Sequence, residues 1–213
     1  MKYKAALFDM NGVIVDDEDL HEAAFTKVLT ERGFDFDHAK YIEFFAGKTD
    51  DAGFISLYDS EGKETGDLKV IGADKAAAYQ ELAAEGLTPY PGVIDYIKAL
   101  HSEGVRLALV TSSIRIEAET VLKVFNLSNL FETTITANEI TKSKPDPEGY
   151  LKGASSLGLS PDECFIVEDA PSGVAAANAA NIACLAVTNT HSAEELSGAQ
   201  LVADKLDGNI ILP

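Results

Sequence analysis

The sequence has no tryptophan, two cysteines and two methionines, and about half as many basic as acidic residues, 17 lysine plus arginine against 35 aspartate plus glutamate. The formal net charge of −18 removes the basic footprint that non-specific nucleic-acid binding or adhesion to an anionic membrane requires. No partner of either kind is expected. An anionic substrate would need local cations or a bound metal to overcome that field. No run approaches the 18 or so apolar residues of a spanning helix, and the N-terminus lacks the long apolar segment of a secretory signal. Cys164 and Cys184 sit inside apolar runs, which suits buried free thiols in a reducing, cytoplasmic compartment. What is abundant is apolar content, 46% of 213 residues, enough for a sizeable core in one domain with an insert or in two small domains.

Residues 3–9 read as a short buried strand ending on a carboxylate. Similar apolar strands are expected at 105–111, 164–168 and 182–187, with a weaker one at 200–203. Helical patterns at 93–103, 114–125, 148–157 and 172–180 separate them. Near-continuous apolar strands alternating with helices imply a parallel sheet covered on both faces, an α/β fold. Asp146 ahead of Pro147 reads as a helix start, and Gly158 and Asn181 as left-handed helix ends. Residues 18–86 differ: the pattern is helical at 18–32, 38–46, in the fifties and at 73–85, with a polar break at 59–66. The expected organisation is a core of 1–16 and 88–213 with a helical cap at 17–87. Sites in open α/β sheets form beyond the carboxyl ends of the strands, so an insert leaving from that edge is placed to shield a site there.

The expected strand tips carry a consistent set of polar groups. The first offers Asp9, Asn11 and Gly12, the second Thr111, Ser112 and Ser113, the loop after 141 Lys142 and Lys144, and another Glu168 and Asp169. Alone, each has a bland use: Asp9 as a turn former, Ser113 as a helix cap, Lys144 as a solvated lysine. Together they suit a phosphoryl group and a hard cation. Mg2+ takes oxygen ligands, here Asp9, Asp169, the Asn11 backbone carbonyl and, directly or through water, Glu168. Asp9 can act as nucleophile where a metal and Lys144 reduce repulsion by the phosphate. Thr111, with backbone amides after Gly12 and near Ser112, would bind phosphate oxygens, and Gly12 permits close approach. Neither a Walker-type run nor Gly-x-Gly-x-x-Gly occurs.

The segments 8–16 (FDMNGVIVD), 110–113 (VTSS), 143–147 (SKPDP) and 167–174 (VEDAPSGV) resemble the four ordered motifs of the haloacid dehalogenase superfamily, in particular its beta-phosphoglucomutase and sugar-phosphatase-like branch. The resemblance spans essentially the whole chain. It implies a Rossmann-like core with a helical cap, Mg2+, and phosphoryl transfer through an aspartyl-phosphate on Asp9. It also implies phosphate binding by Thr111 and Lys144, with Glu168 and Asp169 as the acidic metal pair.

Two positions depart from that pattern. The family's phosphotransferases place an acid/base aspartate two residues after the nucleophile, where this chain has Asn11. An amide donates a hydrogen bond but cannot take up and return a proton at working pH. The cap segment 45–50 resembles the loop that reaches the site in this branch, yet Asp50 stands where the mutases carry arginine. Lys48 or Lys75 would have to hold a second phosphate. His21 matches a cap-hinge position linked in the mutases to substrate hydroxyl activation, and a hydrogen-bonded hinge residue is an equal reading. The expected activity is a magnesium-dependent phosphatase of a small sugar or polyol phosphate, impaired by Asn11. The alternatives are a hexose phosphomutase and a weakly catalytic phosphometabolite-binding protein.

Overall fold

The computed structural model describes residues 3–46 and 48–207, so Gly47 of the 45–50 loop lies outside it. The chain runs β1 (Ala5–Phe8), β2 (Val15–Asp16), α1 (Glu18–Glu31), α2 (His38–Phe44), α3 (Asp50–Ser60) and α4 (Leu68–Glu85). It continues through β3 (Thr88–Pro89), α5 (Val93–Ser102), β4 (Arg106–Val110), α6 (Arg115–Val124), β5 (Phe131–Ile135) and α7 (Glu148–Ser156). The last elements are β6 (Cys164–Glu168), α8 (Pro171–Ala180), β7 (Ala183–Val187) and β8 (Leu201–Ala203). Two compact units result: one runs to Asp16 and resumes at Leu87, the other is Asp17–Gly86.

The first unit is a six-stranded parallel sheet in the order β5-β4-β1-β6-β7-β8. Alternation along β1 explains why its residues are all apolar. Ala6 and Phe8 enter one core with Leu107, Leu109 and Val167, while Ala5 and Leu7 enter another with Ala108, Val110 and Ile166. A strand buried on both faces has no position where a polar side chain meets water. Each large side chain placed there contributes roughly 1.5–3 kcal/mol of burial. From β1 the chain builds outward through β4 to β5, then returns to the other side of β1 for β6, β7 and β8. That reversal opens a crevice beyond the carboxyl ends of β1, β4 and β6. The excursion into the second unit starts and ends on a short antiparallel pair, Val15 with Pro89 and Asp16 with Thr88.

The parallel α/β core with its inserted helices is as expected, but three local readings change. Strand β5, Phe-Glu-Thr-Thr-Ile, was not anticipated: it is an edge strand buried only at Phe131 and Ile135, so it lacks the apolar run that marks its neighbours. Helix α4 begins at Leu68 because the Asp67 carboxylate accepts from the Lys69 amide at 2.9 Å. Helix α7 begins at Glu148, with Pro147 at the cap, although the Asp146 carboxylate still accepts from the Glu148 amide at 3.0 Å. Gly158 and Asn181 have the expected positive φ of 66° and 55°.

The second unit packs around aromatic rings, with Phe25 4.1 Å from Phe45 and 5.6 Å from Phe54 between centroids. Side-chain caps from Asp37 to Lys40 and from Thr49 to Ala52 start α2 and α3, each satisfying an otherwise orphaned amide. Among the described residues no helix is long and apolar enough to cross a membrane.

Candidate active site

Where β1 ends, the Asp9 amide still donates to the Val167 carbonyl at 3.0 Å, and where β4 ends, the Thr111 amide donates to the Ile135 carbonyl at 2.9 Å. The sheet ladder therefore carries one residue past each strand and fixes the backbone under both side chains. Asp9, Thr111, Glu168 and Asp169 are all buried. One oxygen each from Asp9, Glu168 and Asp169 lies within 4.8 Å of the others. Lys144, supplied by the loop after β5, places its ammonium 2.7 Å from Asp9 Oδ1 and 2.7 Å from Glu168 Oε1.

Three buried carboxylates facing one ammonium leave excess negative charge. Burial, offset in part by Lys144 and reinforced by Glu168 and Asp169, pushes Asp9 up to about 7. Burial and the Glu168 charge push Asp169 up to about 6. Glu168 goes the other way: burial opposes its charge, but Lys144, the Tyr150 hydroxyl and the Ala170 amide outweigh it and hold it below the usual carboxylate range. The Tyr150 hydroxyl donates to Glu168 Oε1 at 2.7 Å, and the Asp169 and Ala170 amides donate to Oε2 at 2.9 and 3.0 Å. An all-oxygen donor set with surplus negative charge fits a hard divalent cation such as Mg2+.

All the expected residues but Lys48 assemble in two groups, one in each unit. Asp9, Asn11, Gly12, Thr111, Ser112, Lys144, Glu168 and Asp169 lie at the tips of β1, β4 and β6 or in the adjoining loops. Asn11 Oδ1 accepts from Ser113 Oγ at 2.7 Å and from Thr111 Oγ1 at 3.4 Å. Ser113 is therefore a partner of Asn11 rather than a helix cap; α6 is capped by Ile114, and its Arg115 amide donates to Asn138. Ser112 is exposed beside Thr111. The amides just after Gly12 are taken up within the turn, those of Val13 and Ile14 donating to the Met10 carbonyl at 3.3 and 2.7 Å, and the Ser113 amide turns back to Thr111 Oγ1 at 3.1 Å.

The other group is internal to the helical unit. Lys75 Nζ lies 2.9 Å from His21 Nδ1 and 3.2 Å from Asp50, over the Phe25 ring at 4.7 Å. His21 Nε2 lies 3.4 Å from Asp17, whose carboxylate also accepts from Tyr79 at 2.5 Å. Lys48 is exposed and donates to the Glu43 carbonyl at 2.5 Å.

Two glycines hold the carboxylates by having no side chain. A Cβ on Gly12, at φ +77°, would sit 2.0 Å from Asp169 Oδ2, and one on Gly173 would sit 1.9 Å from the Glu168 carboxyl carbon. Gly173→Ala is expected to lower stability by about 1–3 kcal/mol, the usual range for overpacking, read as a downward shift of the urea midpoint. An unchanged midpoint would contradict that packing. The sequence reading missed Tyr150, inside a helix with no local signal, and the loop after β7. There the polar run Thr188-Asn189-Thr190-His191 directly follows an apolar strand, which was a usable cue.

Comparison with known proteins agrees with this geometry. Residues 6–187 match the haloacid dehalogenase-like hydrolase family. Validoxylamine A 7'-phosphate phosphatase from Streptomyces hygroscopicus subsp. limoneus is 30% identical over 96% of this chain and 94% of its own length. Hexitol phosphatase A from Escherichia coli is 32% identical over 97% and 93% respectively. The crystal structure of CbbY from Rhodobacter sphaeroides in complex with phosphate superposes with a TM-score of 0.83 at 25% identity, covering 95% of this chain and 94% of that one. By sequence and by fold, the chain belongs to the haloacid dehalogenase-like hydrolase family.

Proposed function

We propose that the protein is a divalent-cation-dependent phosphatase of a small sugar or polyol phosphate, with Asp9 as nucleophile and turnover slowed by Asn11. The observation that carries this reading is the buried group in which Lys144 bridges Asp9 and Glu168 at 2.7 Å each, beside Asp169. Asp9, Glu168, Asp169 and the Asn11 backbone carbonyl would hold Mg2+. A bound cation neutralises phosphate charge and polarises the phosphoryl oxygens.

Lys144 keeps an Asp9 carboxylate oxygen in place and offers positive charge to the incoming dianion, so nucleophile and phosphate meet without full repulsion. Asp9 attacks phosphorus, the bond from phosphorus to the sugar oxygen breaks, and the phosphoryl group rests on Asp9. Thr111 and Lys144 hold its oxygens. Water then attacks phosphorus, releasing inorganic phosphate and restoring the carboxylate. Both halves need a proton moved, first to the leaving oxygen and then from the water. The Asn11 carboxamide, held by Ser113 and Thr111, does neither, so solvent water supplies the first proton and takes up the second, which slows both halves.

Hydrolysis is favoured over mutase chemistry by the charge balance in the helical unit. A mutase working through a bisphosphate needs a cation for the second phosphate; Asp50 adds negative charge there and pairs with Lys75 at 3.2 Å, which leaves the exposed Lys48 as the remaining candidate. The relatives, a validoxylamine A 7'-phosphate phosphatase and a hexitol phosphatase, support a phosphorylated polyol as substrate class. Asn11 favours a second reading, a protein that binds the phosphorylated metabolite and turns it over little.

The test is a panel of sugar and polyol monophosphates assayed for inorganic phosphate and for isomerised product, with Mg2+ and after chelation. Phosphate release that chelation abolishes and added Mg2+ restores is expected. Bisphosphate-dependent isomerisation without net phosphate release would assign the mutase instead. Stoichiometric binding without turnover, even with Asn11→Asp, would assign the binding protein.

A further inference from the structure

The loop after β7 touches the site at two points that no motif covers. The Asn189 side-chain amide donates to the Gly12 carbonyl at 2.7 Å. The Thr190 hydroxyl donates to Asp169 Oδ2 and lies 3.4 Å from the Asp169 carbonyl. His191 Nδ1 lies 3.1 Å from that same carbonyl and 2.9 Å from Thr190 Oγ1. The carbonyl can only accept, so Nδ1 carries the proton and His191 is the donor to both. Asp169 is thereby held at its backbone and at its carboxylate by consecutive residues of one loop. The Asp169 carboxylate also lies directly over Gly12, where no Cβ fits, and Asn189 anchors the far side of that glycine. Asn189, Gly12, Asp169 and Thr190 form a closed set of contacts joining the tips of β1, β6 and β7.

We infer that Asn189, Thr190 and His191 are positioning residues that orient the Asp169 carboxylate and the Asn11-Gly12 turn for a divalent cation they do not themselves ligate. The inference rests on the proposed cation site. A carboxylate rotates freely about its last bond unless something outside the metal's own ligands fixes it. Buried Asp169 is pushed by Glu168 and Asp9 and has no cation of its own at salt-bridge distance among the described residues. Thr190 supplies the hydrogen bond that keeps it facing the group before the cation arrives. Outer partners of this kind typically change metal affinity 10- to 100-fold when removed. Because they act before substrate binds, the effect belongs to metal affinity and not to the reaction of the loaded site.

The test is calorimetric titration of the full chain with Mg2+ alone, without substrate, comparing the parent with Thr190→Val and Thr190→Ser. Valine keeps the shape and loses the hydroxyl; serine keeps the hydroxyl. Thr190→Val is expected to weaken Mg2+ binding about tenfold, with Thr190→Ser within about twofold of the parent. Equal affinity in parent and Thr190→Val would overturn the inference while leaving the cation site intact. Equal weakening in both variants with a lowered melting temperature would also overturn it, showing a packing role only. A parent that does not bind Mg2+ removes the cation site itself, and this inference with it.

Discussion

Replacing Asn11 with aspartate is expected to raise the rate of phosphate release by about 10²–10⁴-fold, the usual worth of a positioned general acid and base. The gain comes from what the amide cannot do, take up and return a proton. Asn11 Oδ1 already accepts from Ser113 and Thr111, so the side-chain oxygen is held by two hydroxyls. A carboxyl group of nearly the same shape keeps those two acceptor contacts and adds a transferable proton. Metal affinity should change little, since the proposed ligand at this position is the backbone carbonyl. The measurement is kcat and the Mg2+ dissociation constant for both chains, on the phosphorylated metabolite that the panel selects. A gain in kcat without a change in metal affinity supports the assignment. No gain, with fold and metal binding intact, removes Asn11 from the acid/base position.

Asp9→Asn is expected to abolish phosphate release in the Asn11→Asp background, by up to about 10⁶-fold, the scale seen when a covalent nucleophile is removed. Its effect on the metal-free fold should have the opposite sign. Asp9 is one of three buried acids within 4.8 Å of one another, balanced among the described residues by Lys144 at salt-bridge distance. Removing one negative charge relieves repulsion that the fold otherwise carries. The melting temperature of metal-free Asp9→Asn should therefore exceed that of the parent, and Mg2+ should raise it less than it raises the parent's. This pairing of lost chemistry with gained stability marks a residue kept for function at a cost to the fold. A variant that lost activity and stability together would point to a structural role for Asp9.

Much of this site was legible because of how a parallel sheet is built. Strands buried on both faces admit no polar residue until they end, so Asp9, Thr111 and Glu168 announced themselves as the first polar groups after apolar runs. The topology then brings those tips to one edge, however far apart they lie in the chain. Lys144 was legible as a member of the set and through its segment 143–147, since a lone loop lysine would otherwise read as solvated. Strand β5 was not legible because an edge strand with two buried positions lacks the continuous apolar signal, although Thr133, Thr134 and Ile135 carry the β-branched preference. Tyr150 and Thr190 were hidden in their roles for another reason, even though Thr190 stands in a polar run directly after β7. Their importance lies in the hydroxyls they aim at Glu168 and Asp169 across the fold, and tertiary aim leaves no local trace. The helical unit shows the same limit. Asp50 was visible as a departure, but its pairing with Lys75 at 3.2 Å required the packing of α3 against α4.

The most direct measurement is acid-quenched mass analysis of the chain after brief exposure to an aryl phosphate with Mg2+. An aryl leaving group departs without protonation, so the first half-reaction no longer depends on residue 11, whereas attack of water on the phosphoryl adduct still requires a base. The chain with Asn11 should accumulate one phosphoryl group, mapped by peptide sequencing to Asp9, with a stoichiometric burst of the aryl alcohol. Asn11→Asp should release phosphate continuously and hold little adduct. Absence of adduct on Asp9 in both chains, with Mg2+ bound and the fold intact, or an adduct on another residue, would contradict Asp9 as the phosphoryl acceptor.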